Sequence, residues 1–126
     1  MINHFTNLRI WKSSHSLALE IYYLCDKLPI KEKFTLESQL KRAVNSVSAN
    51  IAESFGRKHT KDRIRFLYTS RGSAYEVQNH LLLIHSLKYC NDGEVKDLIL
   101  KYQGLTKGIN TLIKSLLNQN LECKDI

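Results

Sequence analysis

The chain has 126 residues, a formal net charge of +7 and an apolar fraction of 43%. That length can hold one helical core and is too short for two, so residues 1–126 are expected to form a single domain. One Pro and five Gly leave little material for a turn-rich all-β design, and the positive charge directs attention to acidic partners, with nucleic acid first among them.

The opening MINHFTNLRIW lacks a charged segment followed by an apolar run, and the longest aliphatic run, Leu81 to Ile84, falls far short of a membrane span. The expectation is a cytoplasmic protein with no membrane partner. Cys25, Cys90 and Cys123 are odd in number and scattered, which fits reduced thiols rather than a disulfide framework or a metal knuckle.

In chain order, the first periodic segment runs from about Leu8 to Leu28. Leu8, Trp11, Ala18, Ile21, Leu24 or Cys25, and Leu28 fall largely three or four apart, with Thr6 as N-cap and Pro29 as the stop. After the loop IKEKF, Thr35 is the next N-cap. Leu36, Leu40, Ala43, Val44, Val47, Ile51 and Phe55 then share one face, and Gly56 serves as C-cap.

Thr60 caps a third segment that carries Ile64, Leu67, Ala74, Val77, Leu81, Ile84 and Leu87 and ends near Tyr89. Asn91 and Glu94 have capping-box spacing. Beyond them Val95, Leu98, Tyr102, Leu105, Ile109, Leu112 and Leu116 alternate steps of three and four, the spacing of a bundle seam. The tail after Leu117, NQNLECKDI, is polar and expected to fray. Four helices joined by short connections predict an all-α fold, an antiparallel up-down-up-down four-helix bundle.

The second segment has an unusual surface. Half of the residues from Ala43 to Gly56 are Ala, Ser or Gly, and they are not confined to the apolar side. Lys41, Asn45, Ser48, Ala52 and Gly56 form one small or polar stripe; Gln39, Arg42, Ser46, Asn50, Glu53 and Arg57 form another. Small residues let backbones approach closely, and polar groups at such contacts need hydrogen-bond partners.

The third segment supplies a matching surface in Ser70, Gly72, Ser73 and Ala74, with Glu76 one turn away. A helix-interior Gly72 costs about 1 kcal/mol relative to Ala, which suggests close approach by a neighbour. Arg42, Ser46, Asn50, Glu53, Gly72, Ser73 and Glu76 are therefore expected in a polar network between the two helices or across a subunit contact. The ordinary alternative is the shoulder of an amphipathic helix, against which the shortage of Lys and Glu argues. No nucleophile, metal triad or Gly-rich phosphate loop accompanies Glu53 and Glu76, so they are not read as a general acid and base. His80 and His85 are five apart and do not share a helical face, which argues against zinc.

From Arg57 to Arg71 the chain carries Arg57, Lys58, Lys61, Arg63, Arg65 and Arg71 against Asp62 alone, so this piece holds five of the seven net positive charges. Cations near a helix start oppose the macrodipole, while the exposed N–H groups there favour an anion. Phosphate contact gives the placement a purpose, and Tyr68 and Tyr75 on the same side could stack on unpaired bases. A solvated hairpin tip, or pairing with acids of a neighbouring subunit, remains the competing reading.

With these motifs on the page, the chain resembles the four-helix bundle proteins encoded in intervening sequences of bacterial large-subunit rRNA genes. The resemblance lies in LRIWKSSHSLALEIYYLCDKLP, in EKFTLESQLKRAVNSVSANIAESFGRK and in FLYTSRGSAYEVQNHL. Arg42, Ala43, Ser46, Asn50, Ile51, Ala52, Glu53 and Arg57 match the family pattern, as do Gly72, Ser73 and Glu76, while Ser54 replaces the usual Gly. What the resemblance implies is a homo-oligomer, a pentameric ring of bundles, among relatives with no assigned enzymatic activity; no enzyme and no cofactor are expected. A more distant relation, the accessory protein of diversity-generating retroelements, is similar in fold and works with a reverse transcriptase and nucleic acid.

Two functional classes follow. The first is an oligomeric module that binds structured RNA through the basic corner; the second is a scaffold for an acidic protein partner with no use for nucleic acid.

Overall fold

The computed structural model describes residues 2–124, with the side chains of residues 120–124 outside the description. Four helices carry the chain: α1 (Arg9–Cys25), α2 (Leu36–Phe55), α3 (Thr60–Leu87) and α4 (Asp92–Lys124). Short 3-10 turns at Phe5–Asn7 and Ile30–Glu32 precede α1 and α2. Among the described residues there is no strand, and no helix is long and apolar enough to cross a membrane.

Side-chain pairs between neighbouring helices run in opposite order along the two chains. Arg42, Ser46 and Val47 of α2 meet Glu76, Ser73 and Ser70 of α3. Arg71 and Gln78 of α3 meet Asn110 and Thr106 of α4. Glu20 of α1 and Lys27 just beyond it meet Lys101 and Glu94 of α4, and the Tyr22 hydroxyl of α1 accepts a hydrogen bond from Asn45 of α2. Consecutive helices are thus antiparallel, as the short connections required.

The core follows the expected stripes with informative departures. Ile21, Leu24, Leu40, Val44, Val47, Ile51, Leu67, Val77, Leu81, Ile84, Tyr102 and Ile109 are fully enclosed. Each aliphatic side chain of this kind contributes roughly 1.5–3 kcal/mol by leaving water. Leu17 is buried, whereas Ala18 and Trp11 pack on the core from its edge. In α4 the inner position shifts from the expected Leu112 to Ile113, because a straight helix at 3.6 residues per turn drifts from a 3.5 repeat. Leu87 and Phe55 close their helices outside the core.

Four small polar residues, Ser14, Ser54, Ser70 and Thr106, are buried in gaps of the apolar stripes, three or four positions from core residues. Each hydroxyl is satisfied by a carbonyl, Ser14 by Trp11 at 2.7 Å, Ser54 by Ile51 at 2.8 Å, Ser70 by Val47 at 2.7 Å and Thr106 by Tyr102 at 2.8 Å. Serine can be buried here because its one donor finds a backbone acceptor.

The caps differ from expectation more than the helices do. Thr6 lies inside the first 3-10 turn, where its amide donates to the His4 ring, and Leu8 precedes α1 without a side-chain cap. Thr35 stands at the start of α2 but turns its hydroxyl to Glu32 at 2.6 Å. Thr60 is the first residue of α3, behind His59. Asn91 does cap α4, accepting from the Gly93 and Glu94 amides at 2.9 and 3.2 Å, while the Glu94 carboxylate goes to Lys27 instead of closing a capping box. Gly56 ends α2 with ordinary right-handed dihedrals, and Lys88 at φ 59° closes α3 in the left-handed region. α4 stays helical to Lys124, past the Leu117 at which fraying was expected; the Cys123 side chain lies outside the described residues.

Candidate nucleic-acid interface and polar seam

The basic corner is built by the tight turn Gly56–His59 between α2 and α3. Arg63, in the first turn of α3, reaches back and donates from Nε to the Arg57 carbonyl at 2.6 Å, which fixes the turn. Arg57 and Arg65 lie over the ring of Phe66 at 4.6 and 5.2 Å from its centroid, so one aromatic side chain carries two guanidinium groups. Sequence reasoning passed over Phe66; its signal was an aromatic residue off the apolar period of α3, next to arginine.

The counter-charges at this corner are weak. Arg57 pairs with Glu53 at 3.0 Å and Arg65 with Asp62 at 3.5 Å, and both pairs are open to solvent. Exposed pairs of this kind contribute about 0–1 kcal/mol, so an incoming phosphate can displace them. Lys58 and Lys61 are exposed and have no ion-pair partner among the described residues. His59 gives no side-chain cap, which leaves the first-turn amides of α3 without a side-chain acceptor.

Arg71 is not part of this constellation. It stands ten residues further along α3, about 15 Å from Lys61 at 1.5 Å per residue. Its guanidinium lies 4.8 Å over Tyr68 and donates to Asn110 of α4 at 2.9 Å. Tyr75 flanks a small cleft with Gln78, Thr106 and Asn110. The structure therefore brings together Arg57, Lys58, Lys61, Arg63 and Arg65, and sets Arg71 on the α3–α4 seam.

The polar seam runs between α2 and α3. Arg42 is held by Gln39 at 3.0 Å and by Glu76 of α3, whose carboxylate also meets His80 at 3.1 Å. One turn on, the Ser46 and Ser73 hydroxyls are 2.7 Å apart, and Asn50 donates to the Ser46 carbonyl at 2.8 Å. Ser70 adds the buried rung to Val47. Of the residues expected in this network, Arg42, Ser46, Asn50, Ser73 and Glu76 are in it. Glu53 lies outside, because Arg57 takes its carboxylate.

Gly72 also departs from expectation. It is exposed, and a Cβ built on it meets nothing within 4 Å. The close neighbour that its cost called for is absent among the described residues. Such a neighbour occurs instead at Gly108 of α4, where a Cβ would stand 3.0 Å from Ile10 of α1.

Among the described residues no group of three His, Cys, Asp or Glu is arranged to hold a metal ion. Burial, assisted by Glu37, pushes the Cys25 thiol up to about 11, and burial also raises Cys90, so neither is a ready thiolate at neutral pH.

An all-α four-helix bundle with a basic inter-helix turn and a small-residue polar seam defines the class. The model of the 23S rRNA-intervening sequence protein family matches residues 6–111, and the chain belongs to that family. A protein of unknown function from the S23 ribosomal protein family of Bacteroides thetaiotaomicron, solved by crystallography, has a similar fold. The TM-score is 0.78 at 24% identity, over 83% of this chain and 98% of that one. No curated protein matches the chain.

Proposed function

We propose that this chain is a non-catalytic, cytoplasmic homo-oligomer that binds structured RNA through the turn between α2 and α3. One observation carries the reading: Lys58 and Lys61, without acidic partners among the described residues, flank an α3 N-terminus that no side chain caps. Arg57, Arg63 and Arg65 stand beside them, and cations with free amides form a phosphate site. The family's connection with 23S rRNA genes supports RNA as the source of the phosphates.

Oligomerisation gives the polar seam a second task. Exposed Gly72, next to the Ser73 that meets Ser46 of α2, leaves room for the backbone of another copy. A pentameric ring is the form that the family resemblance implies, and repeating the corner around it multiplies weak contacts by avidity.

The test is a salt titration of nuclease-treated, size-defined protein against a labelled structured RNA, with duplex DNA as control. Affinity is expected to fall steeply with salt and to be lost in the Arg63→Glu, Arg65→Glu double variant. Equal binding by that variant sinks the proposal. A protein partner is the second reading, favoured by Ile30 and Phe34, which are 87% and 86% exposed on the α1–α2 connection. Recovery of one stoichiometric protein after nuclease treatment supports that reading.

A further inference from the structure

The first nineteen residues contain no Asp or Glu, and they carry a pile of aromatic rings. His4 lies against Phe5 at 4.3 Å between centroids, and Phe5 meets Trp11 edge-on at 5.2 Å. Trp11 stacks on His15 at 4.8 Å with only 13° between the planes. The inner part of this pile is structural, since it pins the N-terminal turn to α1 and Trp11 packs on the core.

The outer end has no such duty. His15 is exposed, and its ring makes no hydrogen bond among the described residues. The same outward face of α1 continues through Leu19 and Tyr23, which are 51% and 70% exposed. His15, Leu19 and Tyr23 recur every four residues, about 6 Å apart along the helix at 1.5 Å per residue. That is close to the step between successive nucleotides of an extended strand. Arg9 and Lys12, exposed on the same helix, have no acidic partner among the described residues.

We propose that the outward face of α1 is a stacking site for unpaired nucleobases. A base continues the pile on the open face of His15, a second rests against Tyr23, and Arg9 and Lys12 meet the phosphates between and beyond them. Rings beside unpaired cations suit single-stranded nucleic acid, because every base has a face to stack and each link carries one negative charge. An acidic protein would satisfy Arg9 and Lys12 equally well, but it gives no role to the parallel Trp11–His15 stack. The inference rests on the RNA reading above and adds to it the kind of nucleotide that α1 receives.

The experiment uses the full chain, a fluorescein-labelled single strand of ten uridines and a labelled RNA hairpin, with fluorescence anisotropy as the readout. His15→Ala and Tyr23→Ala are each expected to weaken uridine binding about tenfold and to leave hairpin binding unchanged. Unlabelled uridine strand should also lower the emission of Trp11, the chain's single tryptophan. Wild-type affinity for uridines in both variants overturns the stacking site and leaves this face to a protein partner, while the basic-corner reading stands. Hairpin binding that depends on Arg63 and Arg65, without uridine binding, has the same meaning. Absence of binding to either RNA at low salt removes both proposals.

Discussion

The polar seam and the basic corner lie on the same pair of helices, and the partners of their side chains differ in one respect. Beside local bonds such as Arg42 to Gln39 and Asn50 to Ser46, the seam has contacts that cross from α2 to α3 and join residues far apart in the chain: 34 positions for Arg42 and Glu76, 27 for Ser46 and Ser73, and 23 for Val47 and Ser70. Corner contacts are local, 4 positions for Arg57 and Glu53, 6 for Arg63 and the Arg57 carbonyl, and 3 for Arg65 and Asp62. A contact between distant segments is lost when the chain unfolds and so adds to fold stability. A local, solvent-open ion pair adds little to it and can be exchanged for an outside ligand. Polarity alone does not separate a structural region from a binding surface; the reach of the partners does.

The largest expected effect breaks the corner and spares the seam. Lys58→Glu with Lys61→Glu should lower affinity for structured RNA about 100-fold at physiological salt and reduce the slope of log affinity against log salt by roughly two. Neither lysine holds another element, so the thermal midpoint should move by no more than about 2 °C. A fall in stability as large as the fall in affinity would place the lysines in the fold, contrary to the distinction.

The reciprocal change is Ser70→Ala. It removes the buried hydroxyl donor that joins α3 to the Val47 carbonyl at 2.7 Å and leaves a small void. The expected cost is about 1–2 kcal/mol by chemical denaturation, with RNA affinity unchanged at temperatures where the variant is folded. Unaltered stability would show that the seam is less structural than its long-range contacts imply.

The legible part of this molecule was the part written in apolar spacing. The stripes through Leu40, Val47 and Ile51, and through Ala74, Val77 and Leu81, follow from a period of 3.6 and became the core. Caps were harder to read, because the Thr35 hydroxyl is taken by a local competitor, Glu32, and Thr60 falls one position inside α3, behind a His59 that makes no side-chain cap. Ser14, Ser54, Ser70 and Thr106 fill gaps of the apolar stripes; the spacing marks their positions, and the carbonyl within reach of each hydroxyl is what lets a polar residue stand there. The basic corner was legible as a charge run. Its division was not: Arg71 is one of six cations in sequence, and only the helix geometry carries it away to Asn110. The pairing of Glu53 with Arg57 rather than with α3 was settled by competition among nearby charges.

A smaller effect of opposite sign sharpens the place of Gly72. Its exposed position has no atom within 4 Å of an added Cβ, so Gly72→Ala should stabilise the isolated bundle by about 0.5–1 kcal/mol through the unfolded chain and helix propensity. If a second copy packs its backbone there, the same methyl group should loosen the oligomer. Sedimentation at several dilutions is expected to show weaker self-association together with a higher denaturation midpoint. An oligomer that is unaffected moves the subunit contact elsewhere.

The smallest effect tests the distinction with a charge that lies in neither region. Glu32, in the turn before α2, accepts from the Thr35 hydroxyl at 2.6 Å and from the Tyr89 hydroxyl at 2.8 Å, the latter across to the connection between α3 and α4. These two bonds, Thr35 first, hold its carboxyl below the ordinary 4.5. The folded state therefore binds the proton less readily than the unfolded chain does. The resulting stabilisation is present above the ordinary carboxylate value and is lost as pH falls through the lower, folded value. Tyr89→Phe removes the distant donor and keeps the local one. The variant's thermal midpoint should accordingly decline less between pH 5 and pH 3 than that of the parent, with RNA affinity at pH 7 the same for both. An equal decline would mean that the local Thr35 bond alone sets the acidity of Glu32, and that here a long-range partner adds nothing to the fold.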